Sequence, residues 1–173
     1  MKIAYISGPG RGDTDRLLWQ LADRLIAQGI RVCGTVQIGA DPECEGACDM
    51  DVKLLPEGRI IRISQSLGAE AKGCRLDPAA LENAVAAVDA ALSAGTDCLL
   101  INKFGKHEAE GRGFRDTIAD ALSREIPVLI GLSRLNKDAF HEFTDGVATK
   151  LEPSVEVLEE WMRAAVKQPH VTA

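Results

Sequence analysis

Short aliphatic and β-branched runs alternate along this chain with longer stretches of helical period. Residues 2–7 (KIAYIS) form a β-rich run that stops at Gly8. After a glycine-rich turn, Leu17, Leu18, Leu21, Leu25 and Ile26 recur at helical spacing, and Gly29 is a stop. Asp13 or Thr14 can cap that helix. Residues 30–38 (IRVCGTVQI) read as a second strand, which completes a βαβ unit. Two short runs, 52–55 and 59–64, flank Pro56-Glu57-Gly58 and predict a hairpin. The irregular stretches 39–50 and 65–76 surround it.

The second half returns to the first rhythm. Asp77-Pro78 starts an alanine-rich helix that runs to about Ala94 and ends at Gly95. Residues 97–102 (DCLLIN) and 127–132 (PVLIGL) are compact apolar runs of the kind found in strands buried on both faces. Between them lie a charged loop, 103–113, and an amphipathic helix, 114–125. A short helix over 136–143, an edge strand over 147–151 and a final helix over 153–167 follow. The pattern predicts a three-layer α/β/α fold with a mostly parallel sheet. It reads as one domain spanning 1–173, with an insertion at about 39–76 and a loose tail at 168–173.

Composition narrows the function. The chain has 173 residues, 46% hydrophobic, with 20 basic and 26 acidic side chains for a net charge of −6. Only 4% are aromatic, which excludes most stacking platforms for single-stranded nucleic acid, and the net charge argues against a phosphate-backbone binder. No apolar run approaches the roughly 20 residues of a membrane span, and the N-terminal run lacks the features of a signal peptide. The expectation is a cytoplasmic protein with reduced thiols, no nucleic-acid partner and no membrane contact.

In an open α/β sheet, ligands sit at the carboxyl ends of the strands, so two loops carry the candidate chemistry. The first is Ser7-Gly-Pro-Gly-Arg-Gly12-Asp13-Thr14. A Walker A loop needs Gly-x4-Gly-Lys-Ser/Thr after a strand, so that amides cradle phosphate, Lys neutralises it and the hydroxyl holds magnesium. Gly12 and Thr14 match; Ser7 replaces the first Gly and Asp13 replaces the Lys. At ~4 Å and an effective dielectric of about 20, that exchange turns an attraction of about 4 kcal/mol into a repulsion of the same size. Arg11 is one cation that could compensate. One reading makes the segment a plain turn and helix cap. The other makes it a modified oxyanion or nucleotide pocket that uses the amides of Gly8, Gly10, Gly12, Asp13 and Thr14. The dinucleotide pattern Gly-x-Gly-x-x-Gly fails at Asp13, which disfavours NAD.

The second loop follows Cys98-Leu-Leu-Ile101, where a Walker B strand would carry Asp and a catalytic Glu. Asn102 and Lys103 stand there instead. Lys103, Lys106, Arg112 and Arg115 are candidate anion-binding cations together with Asn102, unless the run is simply a solvated loop. Glu108 and Glu110, with Lys103, are the candidate catalytic groups if hydrolysis has been relocated; His107 is a further acid/base candidate.

The segment from Leu100-Ile-Asn-Lys-Phe-Gly-Lys-His-Glu108 to Ile126-Pro-Val-Leu-Ile-Gly131 resembles the small nucleoside-triphosphatase family. More specifically, five segments resemble a bacterial family catalogued as domain of unknown function 2478. They are Cys48-Asp-Met-Asp51, Ile63-Ser-Gln-Ser-Leu-Gly68, Gly73-Cys-Arg-Leu-Asp77, Asn102-Lys-Phe-Gly-Lys106 and Glu110-Gly-Arg-Gly-Phe114. That resemblance covers nearly the whole chain; the resemblance to the triphosphatases implies a P-loop-like fold, to which the small β-hairpin is an insertion. By genetic neighbourhood, the family implies a role in molybdenum handling, with a molybdenum-pathway protein as partner.

Of five cysteines, Cys33 and Cys98 fall in strands and read as small core hydrophobes. Cys44, Cys48 and Cys74 fall in the insertion and are candidate metal ligands, although no second close pair completes a zinc pattern. The leading expectation is a non-hydrolytic accessory protein that binds a small anionic ligand, either molybdate or a nucleotide with magnesium. The alternatives are a magnesium-dependent triphosphatase with relocated groups and a thiolate carrier of metal or molybdenum cofactor using Cys48 and Cys74.

Overall fold

A computed structural model describes residues 1–10, 12–38, 50–65 and 76–166. Seven strands form one sheet in the order β4-β3-β2-β5-β6-β1-β7. They are β1 (Ile3–Ile6), β2 (Val32–Ile38), β3 (Asp51–Leu55), β4 (Ile60–Arg62), β5 (Cys98–Phe104), β6 (Val128–Leu132) and β7 (Thr149–Lys150). The pairs β2/β5, β5/β6, β6/β1 and β1/β7 are parallel, whereas β3 runs antiparallel to both β2 and β4. The expected hairpin therefore extends the main sheet at one edge rather than standing apart from it.

Helices α1 (Asp13–Ala27), α2 (Pro78–Ala94), α3 (Lys106–Ala109), α4 (Arg115–Ser123), α5 (Lys137–Phe143) and α6 (Val155–Val166) complete the fold. Strand alternation explains the two layers they make. On β1, Ala4 and Ile6 face one side with Leu18, Leu21, Ala22 and Leu25 of α1 and Leu158 and Met162 of α6. Ile3 and Tyr5 face the other with Leu81, Val88 and Leu92 of α2, Ile118 of α4 and Phe140 of α5. On β5, Cys98 and Leu100 take the first side and Leu99 and Ile101 the second. A fully buried Leu or Ile contributes roughly 1.5–3 kcal/mol, so these two apolar layers hold the sheet between the helices. The architecture is the three-layer α/β/α, P-loop-like arrangement expected from the sequence.

Three local expectations change. The charged stretch 103–113 is not all loop: Lys103 and Phe104 continue β5, and Lys106–Ala109 makes one helical turn. Phe104 is drawn into the sheet because its ring is fully buried against Phe140 and Phe143, at centroid distances of 5.3 and 5.7 Å. The edge strand contracts to two residues, both exposed, at Thr149–Lys150. Neither Asp13 nor Thr14 caps α1; the N-cap is Gly12, in the left-handed region at φ 80°. Asp77 does cap α2, its Oδ1 accepting from the amides of Ala79 and Ala80 at 3.0 and 3.3 Å, with Pro78 in the first turn.

Candidate functional site

Strands β1, β6 and β5 are parallel neighbours, so their carboxyl ends lie along one edge of the sheet. The turn after β1 and the end of β5 are two strand spacings apart, on the order of 10 Å. Between them comes the end of β6. Gly131 there is required by its neighbours: a Cβ would sit 2.1 Å from the Asn102 carbonyl oxygen and 2.8 Å from the Thr14 methyl. The first turn of α1 is thereby seated directly over β5 and β6.

The glycine-rich turn is braced from within. The Gly8 amide donates to Thr14 Oγ1 at 3.1 Å, and the Gly10 amide donates to Asp13 Oδ2 at 3.1 Å. The second Asp13 oxygen accepts from Arg16 Nη2 at 3.4 Å. Gly12 must take positive φ to turn the chain into α1, which favours glycine at that position. Arg11 lies outside the described residues.

At the end of β5, Asn102 is buried and fixed. Its Oδ1 accepts the Gln37 backbone amide at 2.9 Å and its Nδ2 donates to Gln37 Oε1 at 3.2 Å. Asp15, one residue beyond Thr14, joins this group. Burial pushes its carboxyl up from the ordinary value, while a hydrogen bond from Asn102 and the charge of Lys103 pull the other way. Lys103 itself is exposed and makes no ion pair among the described residues. The site thus transposes the Walker charges: a carboxylate rides on α1, and an amide and an ammonium stand on β5.

The remaining cations of the second loop are committed to partners. Lys106 Nζ lies 3.8 Å from Glu110 Oε1, and Arg112 pairs with the other Glu110 oxygen. The Arg112 hydrogen bond is the main reason that the Glu110 carboxyl sits below its ordinary value. Arg115 donates to the Glu108 carbonyl at 3.2 Å and lies over the Phe143 ring at 4.7 Å. Glu108 is buried, and its two oxygens accept the amides of Gly105 and Phe114 at 2.9 and 3.0 Å. A carboxylate held this way and 4% exposed organises the loop and is shielded from solvent. His107 is half-buried beside these groups.

Magnesium with a nucleotide would need a carboxylate at the end of β5 and a cation in the first loop. Asn102 offers an amide already engaged by Gln37, and Asp13 opposes a phosphate chain. Among the described residues, Asn102 and Asp13 do not supply the carboxylate and the cation of the conventional magnesium–nucleotide site.

Cys33 and Cys98 are buried free thiols. Burial raises both, Cys33 to about 11, so they are inert packing groups at neutral pH. Cys44, Cys48 and Cys74 lie outside the described residues. Among the described residues, no cluster of three or more His, Cys, Asp or Glu side chains could hold a metal ion. No described helix is long and apolar enough to cross a membrane.

Two groups escaped the sequence reading. Asp15 carried a legible signal: it falls on the same helical stripe as Leu18, Ala22 and Leu25, where a charge faces inward. Ser133 and Asn136, joined by a 3.0 Å hydrogen bond just past β6, are placed at the middle of the crevice only by the strand order.

The fold is similar to that of a solved nucleoside triphosphatase. The solution structure of a human cancer-related nucleoside triphosphatase superposes with a TM-score of 0.59 at 16% identity, covering 100% of both chains. In sequence, the chain is 38% identical over 162 residues to a protein named molybdenum import ATP-binding protein ModC 2, from Bradyrhizobium diazoefficiens. That match takes in 94% of this chain but only 18% of the relative's length. The model of the family described as Protein of unknown function (DUF2478) matches residues 3–161, which take in every strand, both loops of the crevice and the transposed charges between them. The chain belongs to that family.

Proposed function

We propose that this protein is an accessory protein of molybdenum or molybdate handling that binds a small oxyanion or nucleotide without conventional hydrolysis. One observation carries the reading. The turn after β1 enters α1 through Gly12 without a side-chain cap, so it presents helix-terminal amides at the edge of the crevice. Lys103 is exposed, and its charge acts on Asp15, which a hydrogen bond joins to the buried Asn102. Molybdate is a tetrahedral dianion like phosphate, so the same geometry suits either. The name of the Bradyrhizobium relative supports the molybdenum part of the reading; a molybdenum-pathway protein as partner is part of the proposal.

The charges of the described residues support a reading without conventional hydrolysis. Glu108 is locked to two amides, Glu110 is paired with two cations, and no carboxylate stands at the end of β5. The test is phosphate release from ATP with magnesium, measured beside ligand binding. Binding without magnesium-dependent turnover is expected. Turnover that Lys103→Ala abolishes would overturn the non-hydrolytic reading in favour of a triphosphatase with relocated groups.

A further inference from the structure

The antiparallel extension of the sheet is covered by described helices on one face only. Val52 and Leu54 of β3 and Ile61 of β4 pack toward Leu81, Ala84 and Val88 of α2. Val52 pairs with Ile61, so Asp51, Lys53, Ile60 and Arg62 turn to the opposite face. The Arg62–Asp51 ion pair at 2.9 Å crosses the two strands on that face. There α1 packs on β2, β5 and β6 and against α6. Arg24 and Gln28 of α1 bond to Glu156 and Glu159 of α6. Lys2, just before β1, donates to the Ala165 carbonyl of α6 at 2.9 Å, so α6 lies toward β1. The strand order then puts β3 and β4 beyond the other flank of α1. Trp19 and Ile26 share one stripe, roughly 140–200° around the helix from Arg24 and Gln28, and so line that flank.

The result is a step, with α1 as the wall and the outer strands as the floor. Trp19 and Ile26 on the wall are 42% and 40% exposed, and Ile60 on the floor is 55% exposed. Half of the six large apolar side chains exposed among the described residues thus fall on this one step, on a sheet otherwise covered on both faces. Its free charges are of opposite sign. Asp23, one turn beyond Trp19 on the wall, and Lys53 on the floor make no ion pair among the described residues. We propose that the step is a self-complementary interface at which two copies of this chain meet about a twofold axis, wall on floor. Trp19 and Ile26 then pack on the partner's Ile60, and Asp23 faces the partner's Lys53. A twofold contact uses the same patch twice, so that patch must carry both halves of every pairing. This step carries both signs and both shapes, whereas a rim of one sign would call for a different protein. Its tryptophan is the residue type that most often anchors such contacts.

The test is sedimentation equilibrium of the whole chain from micromolar to hundred-micromolar concentration, with thermal melting to confirm that each variant folds. Asp23 and Lys53 do not pair within one chain, so exchanging their charges reads the contact between chains. The expected result is a wild-type dimer whose dissociation constant rises roughly tenfold in Asp23→Lys and in Lys53→Glu. The double variant Asp23→Lys, Lys53→Glu returns to within about threefold of the wild type, because each exchanged charge again meets its opposite. Trp19→Ser and Ile60→Ser each weaken the dimer by roughly tenfold or more with little change in melting. A wild type that stays monomeric throughout, as it would if the step served a different protein, overturns the inference. So does a dimer that Trp19→Ser and Ile60→Ser leave intact, or a double variant no tighter than the single ones.

Discussion

Asp13 and Asp15 stand two residues apart on α1 and meet opposite surroundings. Asp13 turns back to an amide and a guanidinium at the surface, whereas Asp15 is pressed onto the end of β5 beside Asn102. Desolvation raises the Asp15 carboxyl in the folded state, so the native protein holds its proton more tightly than the unfolded chain does. Stability from this group is present below its unfolded value of 3.8 and falls as pH rises through the folded value. Asp15→Asn removes that cost. The expected outcome is a higher midpoint in urea at pH 7 than the wild type, with the difference shrinking toward pH 4. A variant less stable than wild type at pH 7 would contradict this account. The motif comparison stops at Thr14, so it does not reach this residue; the inward stripe of α1 does.

Most elements were legible because local pattern and burial agree. The alternation on β1 and β5 matches the two apolar layers, and Asp77-Pro78 starts α2 as its residue types require. The segment after β5 was misread because its charges suggest a solvated loop, while Phe104 and Glu108 are buried by partners far along the chain or across the turn. Glu108 is what shapes that connection. Its carboxylate ties the Gly105 amide before α3 to the Phe114 amide before α4, and a Cβ at Gly113 would lie 2.2 Å from its Oε1. Each buried donor left without an acceptor costs about 1–3 kcal/mol. Glu108→Ala should therefore lose about 2–4 kcal/mol in urea denaturation, with Glu108→Gln recovering part of it. Wild-type stability in Glu108→Ala would show that the carboxylate is free for other work, such as orienting a water.

For the whole molecule, the sequence made the layered α/β class readable, but not how the strands are ordered. That order places β6 between the two candidate loops, and so makes one crevice of β1, β6 and β5. The described cations of the second loop do not all stand free as one basic site. Lys106 and Arg112 are exposed but paired with Glu110, and Arg115 is held by the Glu108 carbonyl and Phe143, which leaves Lys103 as the exposed cation of this loop with no ion pair among the described residues. The Lys106–Glu110 pair has the i,i+4 spacing that a sequence can show, whereas the seat of Arg115 over Phe143 depends on tertiary geometry and leaves no mark in residue spacing. The central claim is that this crevice binds a small anion through the turn after β1 and Lys103. It is tested most directly by titrating the protein with molybdate in a calorimeter, beside Lys103→Ala under the same conditions. The account predicts one saturable site in the wild type and at least tenfold weaker binding in Lys103→Ala, with unchanged melting. Equal binding by the two proteins, or no heat from either, would contradict it.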